Sequence, residues 1–184
     1  MEGLEFYTFN SELWYRTVDG TTDIVDESKT DLIQVLLSKI RDMYPKAYEA
    51  LKEEYSRSAS NVPYFQFLIV RRFCKCNFGK LDTTTADIHN NGSFNFEKVD
   101  CPLRGECKYE GVICNPKFNS KLSKSEERVM KLYYQGESKE EIAEKLYLSV
   151  ETVKNHIKAS YIKLGVHEKA EFVKYANRNN LFNV

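Results

Sequence analysis

The 184-residue sequence predicts an α+β fold, mainly α, from three observations. Apolar residues recur at helical spacing through much of the first half. A stretch after Thr83 carries a hairpin turn signal and then three cysteines between Cys101 and Cys114. From Leu122 onward, short amphipathic helices follow one another through turns tight enough to require a compact tetrahelical module. The expected organisation is an N-terminal α+β domain over residues 1–116, built of helices, a β-hairpin and a Cys-rich metal site, followed by a helical domain over residues 117–184.

Taken in order, residues 1–25 mix Phe6, Tyr7, Phe9, Trp14 and Tyr15 with polar residues and the turn signal Asp19-Gly20, which predicts an irregular or short-strand start. Ser28-Lys29-Thr30-Asp31 has the spacing of a capping box, and Ile33, Leu36, Leu37 and Ile40 then share one helical face. Pro45 ends or restarts that helix. Tyr44, Tyr48, Leu51 and Tyr55 form the stripe of a second one and read as core packing rather than a ligand cage. Asn61 is placed to cap a third helix, with Pro63 in its first turn and Gly79 past its end. Its interior, Tyr64 to Phe73, is rich enough in aromatic and β-branched residues to be a buried strand instead; helix is preferred. Residues 83–88 and 93–99 flank Asn90-Asn91-Gly92, the pattern of a β-hairpin. Residues 115–120 read as a linker.

Composition sets outer limits on function. Charged residues make up 29% and hydrophobic ones 42%, as in ordinary globular proteins. The sequence has no run of 18 apolar residues, and residues 1–10 lack the basic start and apolar core of a signal peptide, so a cytoplasmic protein away from membranes is expected. The net charge of zero conceals an asymmetry: residues 1–116 hold 14 basic against 18 acidic residues, and residues 117–184 hold 13 against 9. A basic end carried on an acidic module fits nucleic-acid binding by that end. No nucleophile–base pair or phosphate-cradling glycine loop is apparent, so an enzyme is not expected.

All five cysteines lie between Cys74 and Cys114. In a reducing compartment such clustering points to metal or redox chemistry rather than disulfides. Cys101, Cys107 and Cys114, with Cys76 or Cys74 as the fourth, would suit a tetrahedral structural zinc. The preferred set is Cys76, Cys101, Cys107 and Cys114, and an iron–sulfur cluster is the alternative. His89 could replace one thiol but reads as a solvated loop histidine. Catalytic zinc is not expected, since no His-Glu-x-x-His pattern accompanies the thiols.

In the last third, Ser138 and Ser149 stand as N-caps just before amphipathic runs. Ile142, Ala143 and Leu146 share one face, as do Val153, Ile157 and Tyr161, and small Ala143 allows two helices to cross closely. With Val153 and Ile157 turned inward, Lys154, Asn155 and Lys158 face outward. Leu122-Ser123 with Glu126, Val129 and Leu132, the turn Gln135-Gly136, Ser138 to Ala143 with Leu146, Ser149 to Ile157, and Lys163 to Val166 together resemble the LuxR/GerE-type helix-turn-helix of bacterial transcription regulators. The resemblance covers about a third of the chain.

It implies a sequence-specific, double-stranded-DNA-binding transcriptional regulator whose recognition helix, about residues 150–160, enters the major groove. By position Lys154, Asn155 and Lys158 would reach base edges, where Asn suits adenine and Lys suits guanine or phosphate, while Thr152 and His156 would lie nearer phosphates; Lys139 completes the DNA-binding set. The helix near Ala170 to Ala176 would form a homodimer contact, and RNA polymerase is a further implied partner. Two departures stand out, Tyr147 where a small residue or Gly is usual and Asn155 where an apolar one is common. The alternatives are region 4 of sigma factors, which shares the Glu-Ile-Ala and Ser-Val-x-Thr-Val-Lys patterns, and a metal- or redox-sensing interaction adaptor in which the cysteines carry the function. Residues 1–121 show neither the alternating strand–helix units nor the acidic pair of a phosphoacceptor receiver.

Overall fold

The computed structural model describes residues 3–82, 85–89, 92–179 and 181–182. The chain divides into two compact units, Met1–Lys117 and Phe118–Val184. Among the described residues, seven α-helices and one small antiparallel sheet make it mainly helical, and no described helix is long and apolar enough to cross a membrane.

The first unit opens with a three-stranded sheet, β1 (Glu5–Phe9), β2 (Glu12–Arg16) and β3 (Thr22–Ile24), in the order β1-β2-β3. The short-strand reading of this start is correct, and the meander is more regular than the sequence suggested. Asn10 and Ser11 form a two-residue loop with φ of 50° and 65°, the left-handed pair that a tight hairpin turn requires. Phe6 and Leu13 are buried beneath the sheet, and Tyr7 stacks beside Trp14 across the strands.

Helices α1 (Thr30–Met43), α2 (Pro45–Glu54) and α3 (Val62–Asn77) follow, with a short 3-10 turn at Ser56–Ser58. The face predicted for α1 is the buried one: Ile33, Leu36, Leu37 and Ile40. Its expected capping box is not formed. Asp26 takes both the amide and the hydroxyl of Ser28, at 2.9 and 2.5 Å, which leaves Lys29 at the N-cap without a side-chain bond. Pro45 opens α2, where its missing N–H has no helical partner to lose. The segment 64–73 is helical and not a strand, capped by the Asn61 side chain at 3.5 Å from Tyr64 N. Tyr44 is buried against Phe73, Phe94 and Phe96, so the tyrosine stripe begins in an aromatic core, which Phe6 and Phe78 extend at a 5.4 Å centroid separation.

The hairpin expected over 83–99 is reduced to isolated bridges, Leu4 with Ile88 and Ile88 with Phe94. Gly92 N donates to His89 O at 2.7 Å to close the reversal; Thr83, Thr84, Asn90 and Asn91 lie outside the described residues. Around the Ile88–Phe94 bridge the two arms do pair, His89 N donating to Ser93 O at 3.0 Å and Asn95 N to Asp87 O at 2.8 Å, and past it the second arm turns away, Glu97 N donating to Asn77 O at the end of α3. Beyond it, residues 98–117 form successive turns with neither helix nor strand.

The second unit contains α4 (Lys124–Tyr134), α5 (Lys139–Leu146), α6 (Val150–Leu164) and α7 (Lys169–Arg178). Val129, Met130, Ile142, Ala143, Val153, Ile157, Leu164, Val166, Phe172 and Ala176 form one continuous core. This is the four-helix arrangement expected of the C-terminal third.

Candidate nucleic-acid interface

The geometry of α5 and α6 begins at their caps. Ser138 accepts from Glu141 N at 3.2 Å while Glu141 accepts from Ser138 N at 2.7 Å, and Ser123 and Glu126 repeat this reciprocal box at α4. Ser149 caps α6 by accepting from Thr152 N at 3.0 Å. These caps fix where each helix begins and hence which side chains point outward. Glu126 is buried, and Lys163 from α6 reaches it at 2.6 Å, tying α6 to α4. This lysine, with the Ser123 amide, holds the Glu126 carboxyl below the usual carboxylate range.

The turn from α5 to α6 departs from easy backbone geometry. Tyr147 ends α5 in the left-handed region, at φ 54° and ψ 46°, with its side chain 96% exposed. Glycine adopts this conformation without steric penalty, and a tyrosine does so at a cost of about 1 kcal/mol. The conformation lets Leu148 N return to Ala143 O at 2.9 Å and turns the chain sharply into Ser149.

On α6, Val153, Ile157, Ser160 and Leu164 are buried, and Lys154, Asn155 and Lys158 are exposed on the opposite side. Lys154 has only a loose ion pair with Glu151, at 3.7 Å on the surface, so its charge is open to a stronger partner. Lys139, at the first position of α5, joins Lys154 and Lys158 around a shared depression whose floor is Ile157, Tyr161 and Val166. Thr152 and His156 are half-buried on the flank, and the Thr152 hydroxyl lies 2.8 Å from that of Ser149. All six residues predicted for DNA contact therefore belong to α5 and α6; the three lysines are brought together, and Asn155 stands beside Lys154 on the exposed side. Ile162, 75% exposed, and His167 line the same depression and were not singled out from sequence. The period-3.6 pattern carried that signal for Ile162, since it falls on the outer face with Lys154 and Lys158.

The cysteines are distributed differently. Cys74 is buried in the core and Cys76, two residues on, is half-buried at the last turn of α3; Cys101 is exposed, and Cys107 and Cys114 are half-buried in the turns of 98–117. No three of their sulfurs lie within 4.8 Å of one another. Among the described residues, the set of metal-capable side chains that does come that close is Glu5, Asp87 and Glu97. Each of these carboxylates holds one backbone amide: Glu5 that of Asp82 at 3.1 Å, Asp87 that of Phe6 at 2.6 Å, Glu97 that of Gly79 at 2.7 Å. Asp87 is fully buried, and burial with its acidic neighbours pushes its carboxyl up to about 8. The set was not legible in the sequence because its members lie far apart along the chain.

Four helices, three of them capped by serines, with a sharp turn between α5 and α6 and a basic outer face on α6, define a helix-turn-helix domain. Residues 120–176 match the family described as "Bacterial regulatory proteins, luxR family", and this segment is a LuxR-family helix-turn-helix domain. The chain is similar to the transcriptional regulatory protein LiaR of Bacillus subtilis, 35% identical over 86 residues, which make up 47% of this chain and 40% of that protein. It is also similar to the oxygen regulatory protein NreC of Staphylococcus aureus, 43% identical over 60 residues, 33% of this chain and 28% of that protein. The chain thus matches less than half the length of these relatives. No solved structure matches it significantly.

Proposed function

We propose that the protein is a sequence-specific DNA-binding transcription regulator that places α6 in the major groove of double-stranded DNA. The observation that carries the reading is the exposure of Lys154, Asn155 and Lys158 on one side of a helix whose opposite side is buried in the core. Asn155 has the donor and acceptor that adenine presents in mirror image, and the lysines suit guanine acceptors or phosphate. Lys139, Thr152 and His156 flank the helix where backbone phosphates would pass, positioning it without reading sequence. The LuxR-family match and the similarity to the transcriptional regulatory protein LiaR support the same reading. Two copies associated through α7 would present two recognition helices to a two-fold site, as the family resemblance implies. Selection of bound duplexes from a random-sequence pool at low salt tests this directly. Retarded duplexes should converge on one short motif; a failure to retard any duplex would contradict it.

A further inference from the structure

The turns of residues 98–117 present a physical problem. Twenty residues without helix or strand bury only Ile113 and Pro116, too little apolar surface to hold a loop of that length in place. Two polar anchors bind it to the helices. Glu54, at the end of α2, accepts from Tyr109 Oη at 2.7 Å and pairs with Lys108 Nζ at 3.0 Å. Asn77, at the end of α3, donates to Ile113 O at 2.8 Å and accepts from Asn115 N at 2.7 Å, so it grips the peptide on both sides of Cys114. Asn77 directly follows Cys76 in sequence. The clamp therefore sets Cys114 beside the last turn of α3, where Cys76 lies.

Cys76 and Cys114 line one cavity, and Cys76 and Cys101 line another. Arg72, one turn before Cys76, lies within electrostatic reach of Cys76 and Cys107. Four thiols thus gather around the end of α3 with a guanidinium among them. Cys74 is on the other side of the helix, 1% exposed in the aromatic core.

We propose that Cys76, Cys101, Cys107 and Cys114 bind one zinc ion that fastens the 98–117 loop to α3. Zinc takes four thiolates at about 2.3 Å in a tetrahedron, which brings the sulfurs to about 3.8 Å apart. Binding draws in the turns at Cys101 and Cys107, and Gly105 and Gly111 allow it: both have positive φ, 87° and 72°, and open space around them. The ion displaces the thiol protons to solvent, and the resulting doubly negative centre is offset in part by Arg72. Soft thiolates select zinc over the hard cations that the carboxylates of Glu5, Asp87 and Glu97 would favour.

Metal analysis of the full chain, purified without chelator from zinc-supplemented medium, tests the site. The wild type and Cys74→Ala should each carry one zinc per chain, and Cys107→Ser and Cys101→Ser should lose it. Cobalt loaded in place of zinc should give the intense visible bands of a tetrahedral thiolate complex, a readout that does not require the variants to fold. A chain without zinc, a brown chain carrying iron, a Cys107→Ser variant that keeps its zinc, or bound cobalt without thiolate bands would each overturn the proposal.

Discussion

Asn155 and Lys154 are the residues on which the functional reading bears most directly. Asn155→Ala should cost about 1–3 kcal/mol of affinity for the selected motif and relax selection at one base position, since a bidentate base contact is lost. Replacing Lys139 instead should weaken all duplexes alike and lower the salt dependence by about one phosphate contact. Competition binding with single-base variants of the motif separates the two outcomes; equal weakening across bases for Asn155→Ala would place it on the phosphates. Tyr147 permits a different test. Its strained left-handed backbone and nearly full exposure mean that Tyr147→Gly relieves strain and removes almost no packing. After the extra chain entropy of glycine in the unfolded state, a net gain of about 0.5–1 kcal/mol is expected in thermal unfolding. An unchanged or lower midpoint would show that Tyr147 has contacts worth more than the strain. Sequence made the anomaly at 147 visible, but only the backbone shows that the consequence is strain.

At the scale of elements, helices were the legible part. In α1, α5 and α6 the buried positions are those that the 3.6-residue period picks out, and Ser138 and Ser149 each form the cap expected of them. The failures have local causes. Ser28 is taken by Asp26 before it can cap α1, and the pairing of the arms at 83–99 stops short after Asn95 because Glu97 N turns to Asn77 O at the end of α3. Asn77 lies far from Glu97 in sequence and outside a local window, whereas Asp26 stands two residues before Ser28. The same arms bring Asp87 into contact with β1, which creates a pH dependence. The Asp87 carboxyl titrates near 8 in the folded state against 3.8 for an unperturbed group, so the folded state holds the proton more tightly. Stability from this group is full below the unfolded value and is lost as pH rises toward about 8, at about 1.4 kcal/mol per pH unit for one proton. Glu5 and Glu97 are raised by burial and act in the same sense. Asp19, Asp23 and Asp26 are lowered by hydrogen bonds and act in the opposite sense, only in acid. Urea unfolding followed by Trp14, the single tryptophan, should show the first unit less stable at pH 8 than at pH 5.5, with Asp87→Asn flattening the difference. A wild-type midpoint independent of pH, or an unaltered slope in the variant, would contradict this.

At the scale of the whole molecule, the two compact units Met1–Lys117 and Phe118–Val184 carry opposite charge excesses. The basic unit was readable as to both fold and family because short capped helices with an exposed outer face leave a dense local pattern. The acidic unit was readable only element by element, since its aromatic core joins Phe6, Tyr44, Phe73 and Phe94 from four separate segments. The account rests on α6 entering the major groove of DNA. The most direct test is guanine N7 methylation interference on a selected duplex, because N7 lies in the major groove alone. Methylation of guanines within the motif should abolish retardation of the full chain, and the Lys154→Ala variant should lose sensitivity at one of them. Binding that tolerates every N7 methyl group while responding to changes in the minor groove would contradict the account.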